Sequence, residues 1–171
     1  MTTCPPVAAL QAPTSSSRER IARGPPAGNT ETMEIRFIAG FAAITTDSVR
    51  DNDFFVNALG LPLQEPESAP DSDYVSSDDI PGAKHFGVWP LSDAAQSCFG
   101  SATWPSTHPV PHATVEFEVD DVASAVKELV ETGHELIHDT RTEPWGQVIA
   151  RLQTADGLLI GVCFTPWLRE D

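Results

Sequence analysis

Basic residues are scarce in this chain. Ten Lys and Arg stand against 25 Asp and Glu, and the formal charge is −15. Phosphate backbones are bound through a basic footprint, so nucleic acid is excluded as a partner, and an anionic membrane surface with it. Cysteine is scarce too. Cys4, Cys98 and Cys163 are odd in number, far apart and form no CxxC pair. That argues against a disulfide framework or a zinc knuckle and fits a reducing, cytoplasmic setting. No apolar run approaches the ~18 residues that a membrane-crossing helix needs. There is no Ser-His-Asp arrangement, no nucleotide-binding loop and no HExxH. What is present suffices for a globular core: 40% of the residues are hydrophobic. The acidity serves solubility, and it also favours a cationic ligand electrostatically.

Residues 1–33 are rich in Pro, Ser, Thr, Gly and Ala and show no hydrophobic periodicity. They read as a disordered extension, and they lack the apolar stretch of a secretory signal. From Glu34 to Asp171 the pattern is that of one folded domain. RFIAGFAAITT predicts a buried strand. Asp47 can cap a helix whose apolar face would be Val49, Phe55, Val56 and Leu59, closed by Gly60. QEPESAPDSDYVSSDD (64–79) carries six acids and no base and reads as loop, with one short exposed strand at Tyr74-Val75. GAKHFGVWPL (82–91) predicts a strand ended by Pro90. Residues 92–111 read as a linker with one helical turn at most.

The same grammar then returns. HATVEFEVDD alternates, with Val115, Phe117 and Val119 on one face and Thr114, Glu116 and Glu118 on the other. Asp121 caps a helix bearing Val122, Ala125, Val126 and Leu129 at helical spacing, closed by Gly133. HELIHDTRTEP leads out as strand and turn, which makes a helical metal pair of His134 and His138 doubtful. WGQVIARLQT and LLIGVCFTPW are strands joined at a DG turn. Asp47 to Gly60 spans 13 residues and Asp121 to Gly133 spans 12. Two copies of one unit imply a pseudo-symmetric sheet curled around a shared cleft.

An apolar strand, an Asp-capped helix containing FF, then LGLP resembles the first module of the vicinal oxygen chelate superfamily. That group comprises glyoxalase I, the bleomycin-resistance proteins and the extradiol dioxygenases. VEFEVDDVASAVKELVETG resembles its second module and EPWGQVIARLQTADGLLIGV its closing hairpin. The resemblance covers about residues 36–167. It implies an α+β fold of two tandem βαβββ modules, about 36–91 and 112–167, forming a curled mixed sheet around a cleft. It does not by itself assign an activity.

Metal-dependent members of the superfamily place His, Gln or Glu ligands at four strand positions, two per module. The ion keeps open sites for two adjacent substrate oxygens. The resemblance puts one ligand position seven residues before each helix-capping Asp, here Gly40 and Thr114. Another lies four residues after the hairpin glycine, here Gly161. The fourth falls in strand 82–91, with His85 and Trp89 as candidates. Glycine offers no side chain, and a threonine hydroxyl is a poor transition-metal ligand. The resemblance therefore implies a cleft without a metal cofactor. The alternative is one divalent ion held by His85 and Glu116.

Gly40, Gly87 and Gly161 leave volume in such a cleft, and Phe41, Trp89 and Trp145 could wall it, which suits a flat organic ligand. Arg141, Glu143 and Gln147 could anchor polar groups at its rim. Each residue has a plainer reading: His85 as a strand-edge histidine, the tryptophans as core aromatics, Glu116 and the rim charges as solvated groups, Cys98 and Cys163 as apolar fillers. The expected ligand-binding set is Phe41, His85, Trp89, Thr114, Glu116, Trp145, Gln147 and Gly161. The expected function is metal-independent binding of a small organic molecule, with a cationic aromatic one favoured by the charge. Two other classes stay open. One is a metal-dependent lyase or dioxygenase, and the other is an interaction protein docking through 64–79. The resemblance points to a homodimer.

Overall fold

The computed structural model describes residues 33–67 and 72–169. The expected extension, apart from Met33, lies outside them. Among the described residues seven strands form one mixed sheet in the order β2-β3-β1-β4-β7-β6-β5. They are β1 (Phe37–Thr45), β2 (Val75–Ser77), β3 (Phe86–Pro90), β4 (Ala113–Glu118), β5 (Leu136–Thr142), β6 (Val148–Gln153) and β7 (Leu159–Phe164). β1 and β4 pair antiparallel at the centre. On one side β1 pairs parallel with β3, and β3 antiparallel with β2. On the other side β4 pairs parallel with β7, and β7 antiparallel with β6. The two halves repeat one pairing rule, which is the expected two-module α+β fold. They differ at the edge. The second module ends in the full strand β5, antiparallel to β6. Among the described residues the first has a one-residue bridge there, Gln64 to Ser76.

One face of the sheet, the outer face, carries the two repeated helices. α3 (Val122–Glu131) is capped by Asp121, whose carboxylate accepts from the Ser124 N–H. Its Val122, Ala125 and Val126 pack on Ala150, Leu152 and Val162. Burying three such side chains contributes several kcal/mol at about 25 cal/mol per Å². α1 (Ser48–Asn52) is capped by Asp47 as expected. It then widens into a π-type turn, Asp53–Ala58. Phe55 and Val56 reach the cluster of Leu63, Val75 and Val88. Val49 and Leu59, expected on that apolar face, are instead exposed, Val49 by 81%. The wider turn rotates the helix face, so only the middle of the segment meets the sheet.

Residues 92–111 are not merely a linker. α2 (Leu91–Phe99) is a nine-residue helix running from Pro90 to a left-handed Gly100. Proline is tolerated at a helix start and glycine at its end, and Ala94, Ala95 and Cys98 supply the buried stripe. α2 packs on the inner face against Ile44 and Leu159, with Trp104 beside it. The Tyr74-Val75 strand is also less exposed than expected. Val75 and Ser77 are buried, because β2 pairs with β3 along its whole length.

Candidate functional site

β4 alternates as expected, but its polar face is the buried one. Thr114 and Glu118 are among the most buried polar residues of the chain, and Glu118 has no exposure at all. They point to the inner face, into the space between the modules. Glu118 accepts from the Thr165 N–H at 2.8 Å and from Arg169 Nε at 2.7 Å. Its charge is met on arrival, which is the condition for burying a carboxylate.

The centre of the inner face is a single row across four strands, extended by His85 just before β3. Phe41 N–H donates to the His85 carbonyl, which sets His85 beside Gly40. Gly40 pairs with Glu116, Glu116 with Gly161, and Gly161 with Arg151. Three polar residues thus alternate with two glycines. The glycines give the long side chains room to lie flat. A Cβ on Gly161 would stand 2.9 Å from Glu116 Cγ and 2.9 Å from Ile149 Cδ1. The space that a side chain at 161 would fill is taken by Glu116 from the next strand. This is what is missing at Gly161, and why.

Glu116 is held from two sides. Arg151 Nη2 donates to its Oε1 at 2.9 Å and Gln147 Nε2 to its Oε2 at 2.8 Å. Arg151 is only 2% exposed and Glu116 only 16%. The guanidinium also lies over the Trp89 ring at 5.0 Å and reaches Thr114 Oγ1 at 3.4 Å. Gln147 bonds Thr165 as well, and Trp145 Nε1 donates to Gln147 Oε1 at 3.2 Å. In the first module His85 Nδ1 is 2.5 Å from Asp78 Oδ1, and its Nε2 is 2.6 Å from the hydroxyl of Tyr74, the single tyrosine. Burial pushes the Tyr74 phenol up to about 12. The nearby Glu116 and Asp78 charges push the same way, while a Ser76 hydrogen bond and Arg151 oppose.

Of the expected residues, His85, Trp89, Thr114, Glu116, Gln147 and Gly161 are brought together on the inner face. Trp145 joins through Gln147 at the rim, 53% exposed. Phe41 does not join them. Strand alternation turns it to the outer face, where it stacks on Phe86 at 6.0 Å. Arg141 and Glu143 pair at 2.8 Å, and Arg141 also donates to the Ser97 carbonyl, so they tie β5 to α2. Three residues were not anticipated: Arg151, Tyr74 and Asp78. Arg151 carried a readable signal, a lone charge inside the apolar run VIARL.

The module repeat gives Gly161 a first-module counterpart. Ala42 pairs with Gly87 in the first module at the same chain spacing as Glu116 with Gly161 in the second. Gly87, not His85 or Trp89, is the counterpart of Gly161. A Cβ there would meet the Tyr74 hydroxyl at 2.8 Å. The four positions that the resemblance implies would then be Gly40, Gly87, Thr114 and Gly161, and none carries a carboxylate or imidazole. Both nitrogens of His85 and both oxygens of Glu116 are engaged within the protein, and a guanidinium faces the carboxylate. Among the described residues no three His, Cys, Asp or Glu side chains converge as metal ligands. The residues present do not fit a divalent ion.

The family model for the glyoxalase/bleomycin resistance protein/dioxygenase superfamily matches residues 38–162. The chain belongs to this superfamily. Solved structures share the fold. A member from Vibrio splendidus 12B01 is 16% identical, with a TM-score of 0.50, over 78% of this chain and 100% of that one. Methylmalonyl-CoA epimerase from Mycobacterium tuberculosis is 16% identical, with a TM-score of 0.51, over 78% and 91%. A hypothetical protein from Bacillus halodurans C-125 is 19% identical, with a TM-score of 0.50, over 79% and 98%. Among curated proteins nothing matches. At these identities the likeness carries the glyoxalase-like fold and no activity. Among the described residues no helix is long and apolar enough to cross a membrane.

Proposed function

We propose that this superfamily member is a metal-independent binder of a small, flat organic molecule. The observation that carries this reading is the Arg151–Glu116 pair. It neutralises the centre of the inner face from within, where relatives that use a metal would need free ligands. The accessible edge of this centre is at His85 and Glu116, beside the buried Gly40. His85 keeps 31% of its side chain accessible and Glu116 16%. A ligand entering here would find polar groups on both sides to fix its orientation and the Trp145 ring at the rim. The centre itself is charge-balanced, so a preference for cationic ligands would come from the −15 field of the whole chain. Cys98 and Cys163 are free and buried, consistent with a reducing compartment.

Two measurements test the reading together. Elemental analysis after offering zinc, nickel, iron and manganese is expected to give well under one metal per chain. A thermal-shift screen of flat aromatic amines is expected to give stabilising hits that Glu116→Gln weakens. One tightly bound metal per chain, removed by His85→Ala, would favour the metal-dependent lyase or dioxygenase reading instead.

A further inference from the structure

A cavity of about 670 Å³ lies at the end of the first module, and none of the residues around the Arg151–Glu116 pair lines it. Its volume is within the ~300–1,000 Å³ of small-molecule sites. β1 and β3 run parallel and end side by side, Thr45 against Pro90. The chain leaves β1 into α1 on the outer face and leaves β3 into α2 on the inner face. Exits to opposite faces open a crevice beyond the strand ends, which is where open α/β sheets take their ligands. Asp47, Asp73, Leu91, Ser92, Trp104 and Val110 are among the residues that line it, and no Lys or Arg is among the described ones. Trp104 is nine-tenths buried, and its indole N–H has no partner among the described residues. A buried donor left unpaired is costly, so its acceptor is expected from outside the chain.

In the second module the same place is filled. β4 and β7 also run parallel, and the chain's own Arg169 sits beyond their ends. Its guanidinium donates to Glu118 at 2.7 Å, to Asp120 at 2.6 Å and to the Val119 carbonyl at 2.6 Å. It also lies over the Phe164 ring at 4.4 Å. Two carboxylates thus meet one guanidinium. The first module keeps two carboxylates at the matching end, Asp47 and Asp73, and brings no cation to them. We propose that this cavity binds a small organic guanidinium compound whose stem carries a neutral hydrogen-bond acceptor. The guanidinium takes the Asp47 and Asp73 carboxylates, as Arg169 takes Glu118 and Asp120. Its planar fork of donors suits paired carboxylates better than a point charge does. Asp47 can serve helix and ligand together, because it is Oδ1 that accepts from the Arg50 N–H. The acceptor on the stem takes the Trp104 N–H. This second site goes beyond the inner-face reading and does not rest on it.

The probe is Nα-acetylargininamide, whose only charge is the guanidinium and whose amide carbonyls are neutral acceptors. Its citrulline counterpart has nearly the same shape and no charge. The readout is the set of four indole N–H signals of the isotope-labelled full chain, one per tryptophan. The signal missing from Trp104→Phe belongs to Trp104, and it should move saturably as the probe is added. Charge-assisted hydrogen bonds are the strong ones. The citrulline compound should therefore bind at least about tenfold more weakly, and so should the probe to Asp73→Asn. If Trp104→Phe does not fold, the Ser92 and Thr103 amide signals carry the same test. A Trp104 signal that stays in place, or equal binding of the charged and neutral compounds, overturns the site. So does a shift abolished by Glu116→Gln and untouched by Asp73→Asn, which would put the compound on the inner face. The inner-face reading stands or falls separately, on its own screen.

Discussion

The two modules obey one pairing rule and have spent it differently. The second has a complete edge strand, a ten-residue amphipathic helix and a tightly packed outer core. The first has a helix that loosens into a π-type turn, a single bridge for its last strand, and exposed rings at Phe41 and Phe54. The same asymmetry runs through the inner face. The second module supplies the buried ion pair and the first supplies the hydrogen-bonded chain that opens to solvent. A duplicated unit can thus be divided into a half that holds the fold and a half free to carry chemistry.

The comparison is broken most severely at Arg151. Arg151→Ala leaves Glu116 nearly buried and unpaired, and should cost about 3–5 kcal/mol in urea unfolding. Arg151→Met combined with Glu116→Leu removes both charges and should return most of that loss. A double variant as unstable as the single one would show that the pair is not what Arg151 contributes. Next comes the outer face. Val126→Ala in α3 should cost about 1.5–3 kcal/mol, while Val49→Ala in α1 should stay within about 0.5 kcal/mol. Similar losses at both sites would mean that the modules share the folding energy evenly.

The glycines sharpen the comparison further. Gly161→Ala and Gly87→Ala put a methyl group into Glu116 and into Tyr74 respectively, and overpacking of this kind costs about 1–3 kcal/mol. Gly40→Ala meets only ordinary contacts. It should leave stability nearly unchanged. A loss as large as at the other two glycines would show that the row has no spare room at Gly40.

How far the sequence could be read follows from the same asymmetry. Both capping aspartates, the alternation of β4 and the DG hairpin are local signals, and each produced its element. The superfamily fold was legible because those signals recur in order. The site was legible only where one residue speaks for itself, as Gly161 does. Gly87 became identifiable once the strand register linked the two modules. Arg151 and Tyr74 act across strands, and alternation alone says which face a side chain takes, not what it meets there. Glu116 was open between cleft and solvent in the sequence, because Thr114, Glu116 and Glu118 find their partners on β6, β7 and the segment after it. α2 went unread because its buried stripe, Ala94, Ala95 and Cys98, is small and weakly apolar.

The smallest expected effect concerns the helix caps. Asp121 accepts from Ser124 N at 3.0 Å and from Ser124 Oγ at 2.8 Å. The backbone bond from Ser124 chiefly holds its carboxyl below the usual range, and the Ser124 side chain adds to this. A carboxyl depressed on folding stabilises the native state above its unfolded pKa, near ~3.9, and that contribution is lost as the pH falls through the folded value. Asparagine also caps helices, so Asp121→Asn isolates the charge from the hydrogen bond. The wild type should therefore melt slightly above Asp121→Asn at pH 7, and the gap should close on going to pH 2. Asp47 holds α1 through one longer bond, 3.2 Å to Arg50 N. Because α1 contributes so little to the outer core, Asp47→Asn should move the melting temperature less at pH 7. A gap at Asp121 that stays constant with pH would assign the cap to geometry alone. A larger effect at Asp47 would reverse the division of labour between the modules.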